Sequence, residues 1–154
     1  MNQDHSPNDE DRNLERPPRR TIRSAIATNL QTDDYVELAA CLGYSIKKYN
    51  PQLDELGAEL VLLVPNNNNI TPASFTKLET VGWTIRYADD IAINGTDELY
   101  VGFQRNFIKF RVWTWTEYRK VVLLDADTLC LGDISLLLHE GFGTLVIIAI
   151  VDGF

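Results

Sequence analysis

The stretch Val121-Val122-Leu123-Leu124-Asp125-Ala126-Asp127 constrains this chain more than any other. Four apolar residues in a row suit a strand buried on both faces, as in a parallel sheet. The two carboxylates then fall at the strand's carboxyl end, where open α/β sheets bind ligands. Ala126 keeps the backbone between them uncrowded. Asp125 and Asp127 can approach one hard cation, Mg²⁺ or Mn²⁺, that also carries a ligand's phosphates.

The rest of the chain alternates in the way such a sheet needs. Ser24–Thr28 is a first strand of small and apolar residues. Asn29–Asp34 is a polar turn, with Thr32 expected as a helix cap and Asp33 and Asp34 in the first helical turn. Tyr35–Tyr49 has the spacing of an amphipathic helix, closed by Lys47 and Lys48 and ended by Asn50-Pro51. Glu59–Val64 is a second buried strand. Thr71 and Pro72 open the next helix, and Gly82 ends it. Trp83–Tyr87 alternates as a third strand, and 88–102 is irregular. Arg105–Trp115 is expected to be helical, with Phe107, Ile108, Phe110, Val112 and Trp115 on two adjoining apolar stripes. Lys120–Leu124 is the fourth strand, Thr128–Leu131 a further short strand, and Asp133 the cap of a helix over Ile134–Leu138. The order β-α-β-α-β-α-β predicts a Rossmann-like α/β fold with a parallel sheet.

Three regions are expected. Within the first region, 1–22, residues 1–20 are polar, with Leu14 the only large aliphatic after Met1, and cannot offset the entropy of ordering. The region reads as a disordered tail. Residues 23–138 form the α/β domain. Residues 139–154 are an atypical apolar segment, whose run Leu145–Val151 is far shorter than the ~18 residues of a membrane span. No membrane span is therefore expected.

The chain has 154 residues and a net charge of −8. Residues 1–23 hold five basic and five acidic side chains, so the whole deficit sits in the body. An acidic body argues against binding a nucleic-acid backbone. It leaves room for a nucleotide held through a metal. Cys41 and Cys130 are far apart and read as free thiols in a reducing compartment. No signal peptide is visible, and a cytoplasmic location is expected. Neither GxxxxGK[ST] nor GxGxxG occurs.

Two segments carry a resemblance. Ala25-Ile26-Ala27-Thr28-Asn29 with Asp33-Asp34-Tyr35 and Cys41–Lys48 is similar to the opening of glycogenin and its relatives. Phe107–Trp113 with Tyr118–Leu129 is the sharper match. Over residues 24–138 the chain resembles the retaining glycosyltransferases of family 8, of the nucleotide-diphospho-sugar transferase type. The resemblance implies transfer of a hexose from a UDP-sugar with retention, dependent on Mn²⁺. It gives Asp125 and Asp127 the metal, Ala126 a place against the nucleoside, and Tyr35 a place on uracil. Thr28, Asn29 and Thr32 would meet the base and ribose. Lys109 would reach the sugar nucleotide, and Arg105 would be the phosphate-side arginine. The implied partners are a nucleotide sugar and an acceptor of unspecified chemistry, with a second copy of the chain as a further candidate.

Simpler roles stay open at the same positions. Tyr35 could staple a helix start to the core, and Lys109 could lie along a helix face. His139 is weighed as a metal ligand but sits just past a helix. Family members continue well beyond this point with an acceptor site, and nothing in Glu140–Phe154 matches that part. No catalytic residue is assigned, and turnover is left open. The alternative is a truncated, non-catalytic fragment that acts as a nucleotide-sugar-binding or interaction module.

Overall fold

The computed structural model describes residues 23–91 and 107–139. Strand β1 (Arg23–Asn29) leads through a 3₁₀ turn (Asp33–Tyr35) into α1 (Val36–Tyr49). β2 (Ala58–Pro65), α2 (Pro72–Val81) and β3 (Trp83–Ala88) follow. A 3₁₀ helix (Phe107–Thr114) precedes β4 (Tyr118–Leu123), and a 3₁₀ turn (Ser135–Leu138) comes after it. The strands form a parallel sheet in the order β3-β2-β1-β4. This is the Rossmann-like α/β architecture that the alternating sequence predicts. No described helix is long and apolar enough to cross a membrane.

The register explains the layers. Ile26 stands opposite Leu60 and Val122, and Ala27 opposite Val61 and Leu123. Successive residues point to opposite faces. Ile26, Leu60, Leu62 and Val64 pack with Ala39, Leu42 and Ile46 of α1 and Leu78 of α2. Ala25, Ala27, Val61, Leu63 and Leu123 pack on the other side with Ile108, Val112 and Trp115. The sheet is therefore covered on both faces, which is why its strands read as continuous apolar runs.

The ends of α2 follow the expected chemistry. Thr71 Oγ1 accepts from Ser74 N at 3.4 Å, and Pro72 takes the first helical position. Gly82 has φ of 112° and its N–H returns to Leu78 and Glu79.

Elsewhere the structure corrects the sequence. Thr32 does not cap α1: its hydroxyl donates to Asp34 Oδ2 at 3.1 Å, and a 3₁₀ turn intervenes before the helix. The helix expected over 105–115 is a 3₁₀ helix, and Arg105 lies outside the described residues. With about three residues per turn, side chains three apart eclipse. Phe107, Phe110 and Trp113 accordingly line up, with Phe110 and Trp113 stacked at 4.7 Å. That face points outward, so the apolar cover is narrower than expected: Ile108 and Val112 are buried, whereas Phe110 and Trp113 are exposed. Thr128–Leu131 is not a strand. Its polar groups turn back onto Asp125 and onto α1 and leave no ladder to join. Ile134–Leu138 is only a 3₁₀ turn, although Asp133 Oδ1 does accept from Ser135 N at 2.7 Å. Both cysteines are free, but Cys41 is exposed while Cys130 is buried. The tail at 1–22 and residues 140–154 lie outside the described residues.

One close approach joins α1 to β3. Trp83 Nε1 donates to Ala39 O at 2.9 Å across the helix surface. A Cβ on Gly43 would lie 2.5 Å from that same nitrogen and 2.9 Å from Val81 Cγ1. Gly43→Ala is expected to cost about 1–3 kcal/mol through overpacking, read as a lower urea midpoint at unchanged slope. A second expectation concerns alkaline pH. The Tyr118 hydroxyl donates to Glu59, and burial, followed by that carboxylate, pushes its pKa up from 10.0 to about 12. The neutral phenol is thus favoured by folding, and this stability is complete below the unfolded value of about 10. It is lost as pH rises towards about 12. Urea midpoints across that window should fall less steeply in Tyr118→Phe than in the wild type.

Candidate functional site

The strand order sets the position of the site. From β1 the chain steps outward to β2 and β3, then returns to place β4 on the other side of β1. The connections leaving β1 and β4 diverge, so a crevice opens at their carboxyl ends. A cleft of about 300 Å³ occupies that place. Asn29, Leu30, Gln31, Thr32 and Tyr35 line it from the β1 side. Lys109, Asp125, Ala126 and Asp127 line it from the other.

The β1 side is held by its neighbours. Leu30 is buried, and its N–H donates to Leu63 O at 3.0 Å, extending the ladder past the strand. Thr32 then bridges to Asn69, whose N–H donates to Gln31 O at 3.0 Å. Asp33 Oδ1 accepts from Thr71 N at 3.1 Å. That backbone donor, with the Ser74 hydroxyl next, holds the Asp33 carboxyl below the usual carboxylate range. The 3₁₀ turn so anchored leaves Tyr35 half exposed at the rim.

The β4 side is a tight turn. Leu124 N donates to Ala27 O at 2.9 Å, so pairing with β1 continues up to the carboxylates. Asp125 O then accepts from Thr128 N at 3.1 Å and from Thr128 Oγ1 at 2.7 Å. Ala126 is buried inside this turn, and Asp127 is exposed. Behind it, Cys130 N donates to Ser45 Oγ at 3.1 Å. Asn50, buried at the end of α1, accepts from Ile134 N at 2.7 Å and donates to Ile46 O at 2.9 Å. The segment after the carboxylates is thereby docked on α1.

Lys109 arrives from the 3₁₀ helix, whose buried Ile108 and Val112 fix it beneath the sheet. Its ammonium forms an ion pair with Asp125 Oδ1. Among the described residues no group of three or more His, Cys, Asp and Glu side chains stands together. The two carboxylates are hard oxygen donors from one turn. Such a pair fits a divalent cation that takes its remaining ligands from a diphosphate and water. His139 is exposed and joins no such group.

Seven residues singled out from the sequence thus meet at one cleft: Asn29, Thr32, Tyr35, Lys109, Asp125, Ala126 and Asp127. Thr28 does not line it. It is fully buried, and its hydroxyl has no hydrogen-bond partner among the described residues. Arg105 lies outside the described residues. Leu30 and Gln31 are added by the structure; their place between Asn29 and Thr32 in one turn was the available signal.

The turn after β4 can be tested directly. Thr128→Val removes the hydroxyl bond to Asp125 O and is expected to cost about 1 kcal/mol. Thr128→Ser, which keeps the donor, should stay near the wild type in the same urea titration.

No protein-family model matches the chain. Three curated proteins of Arabidopsis thaliana do. UDP-glucuronate:xylan alpha-glucuronosyltransferase 2 is 32% identical over 127 residues, which is 82% of this chain and 20% of that protein. UDP-glucuronate:xylan alpha-glucuronosyltransferase 1 is 35% identical over 116 residues, 75% of this chain and 16% of that protein. Putative UDP-glucuronate:xylan alpha-glucuronosyltransferase 4 is 32% identical over 123 residues, 79% of this chain and 20% of that protein. The chain spans a fifth or less of the length of these relatives. A match of 127 residues in a chain of 154 spans α1 through β4 wherever it is placed. Over that span this chain is similar in sequence to the UDP-glucuronate:xylan alpha-glucuronosyltransferases.

Proposed function

We propose that this chain is the UDP-sugar-binding part of a family 8 glycosyltransferase that transfers a sugar with retention and with Mn²⁺. The observation that carries the reading is the meeting of the Tyr35 turn and the Asp125-Ala126-Asp127 turn at the β1/β4 switch point. The relatives add support, since their names specify a UDP-sugar donor. UDP-glucuronate and UDP-glucose are therefore the donors to try first.

In this reading the exposed Tyr35 ring stacks on uracil, and Asn29 and Thr32 meet the base and ribose. Thr28, being fully buried, acts only by shaping the floor under them. Arg105 keeps the phosphate-side role that the resemblance implies. Ala126 approaches the nucleoside through its backbone, where a larger side chain would crowd the turn. Asp125 and Asp127 would hold Mn²⁺, which when bound offsets negative charge on the diphosphate. Lys109 brings the positive charge that this cleft otherwise lacks among its described lining residues.

Isothermal titration of UDP with and without MnCl₂ tests the reading. UDP should bind with Mn²⁺ present, and Asp127→Asn should weaken that binding by about tenfold or more, or ~1.4 kcal/mol. UDP binding that does not depend on Mn²⁺ sinks it. A second reading is a binding module without turnover. It is favoured by the two-carboxylate donor set among the described residues, which by itself holds a metal loosely. Hydrolysis of UDP-glucuronate or UDP-glucose that Asp125→Asn abolishes decides for the enzyme. Tight UDP binding with no hydrolysis decides for the module.

A further inference from the structure

The Lys109–Asp125 pair sits where a divalent cation is wanted. Both residues line the cleft beside Asp127. Their side chains are 21% and 22% exposed, against 45% and 74% for Lys77–Glu37 and 36% and 46% for Arg86–Glu117. Solvent therefore screens this pair less than the other two. The carboxylates at 125 and 127 repel each other unless a positive charge stands between or beside them. Lys109 supplies one from a separate element.

We propose that Lys109 is an exchangeable internal cation for Asp125. Its ammonium neutralises this carboxylate until a divalent cation and a nucleoside diphosphate enter together. Lys109 then gives up Asp125 and turns to the diphosphate oxygens. The proposal rests on the UDP-sugar reading above and adds a binding order to it. Lysine suits this role because its ammonium is a compact charge with three donors on a flexible stem. Only the side chain has to move, because Ile108 and Val112 keep the 3₁₀ helix under the sheet. A divalent cation alone has to compete with the ammonium for Asp125. A diphosphate alone meets two carboxylates. When both arrive, Lys109 exchanges one anionic partner for another and the divalent cation takes its place at Asp125. Each ligand should therefore tighten the other, by the same factor in both directions.

The test is titration of MnCl₂ into the full chain, first alone and then with saturating UDP, for the wild type, Lys109→Met and Lys109→Arg. Lys109→Gln replaces Lys109→Met if the latter does not fold by circular dichroism. Lys109→Met or Lys109→Gln should bind Mn²⁺ alone more tightly than the wild type, by about threefold or more. UDP should then improve its Mn²⁺ affinity by a smaller factor than in the wild type. Lys109→Arg should keep the wild-type pattern. If Mn²⁺ and UDP bind together but the variant binds Mn²⁺ alone no better than the wild type, the exchange is overturned and the UDP-sugar reading stands. If UDP binding to the wild type does not depend on Mn²⁺, both are overturned.

Discussion

A strand paired along both edges and covered on both faces has no side to give to water, and β1 is such a strand here. Its pairing with β2 and β4 sets the register in which Ile26 meets one helical layer and Ala25 and Ala27 meet the other. The same pairing forces the chain to leave β1 in one direction and to come back beside it from the other. The cleft is a consequence of that detour. It opens where two connections diverge, and no single segment of the chain could form it.

Two turns line the cleft, and each is held by hydrogen bonds to neighbouring residues or elements. The Tyr35 turn is held by Asn69 and by the start of α2, where Thr71 donates its N–H to Asp33 and its hydroxyl oxygen accepts from Ser74 N. The carboxylate turn is held by Thr128 from within and by Ser45 and Asn50 of the α1 end from behind. These polar groups are mostly paired, and few of them face the cleft. Ligand-facing side chains are thereby positioned by an unobtrusive second set, which is how a site keeps its geometry without extra contacts to its ligand. Charge is arranged in the same economical way. In a body of net negative charge, Lys109 provides one positive charge at the carboxylate pair.

Much of the fold was legible because its signals are local. The apolar runs at Leu60–Val64 and Val121–Leu124 suit doubly covered strands, and Thr71-Pro72 with Gly82 marks both ends of α2. The misreadings have separate causes. Thr32 looked like a cap, but its hydroxyl found Asp34 instead. Thr128–Leu131 had a strand's composition, yet Thr128 and Cys130 direct their donors to Asp125 and Ser45. Phe107–Trp115 had helical residues, but not a period that separates a helix of about 3.6 residues per turn from one of three. The choice was made by a neighbour two or three residues away at Thr32 and Thr128, by a partner distant in the chain at Cys130, and by a small difference in winding at the 3₁₀ helix.

The site divides along the same line. Sequence by itself determined that two carboxylates end a buried strand, that a polar turn follows an earlier one, and which residue types stand ready in each. These are properties of neighbours along the chain, set by side-chain chemistry and strand periodicity. Only the tertiary structure decided that the two turns face each other, that Thr28 is buried away from the cleft, and that Lys109 reaches Asp125. Those outcomes depend on strand order. Strand order follows from which apolar faces can be covered at the same time, and no local pattern encodes it.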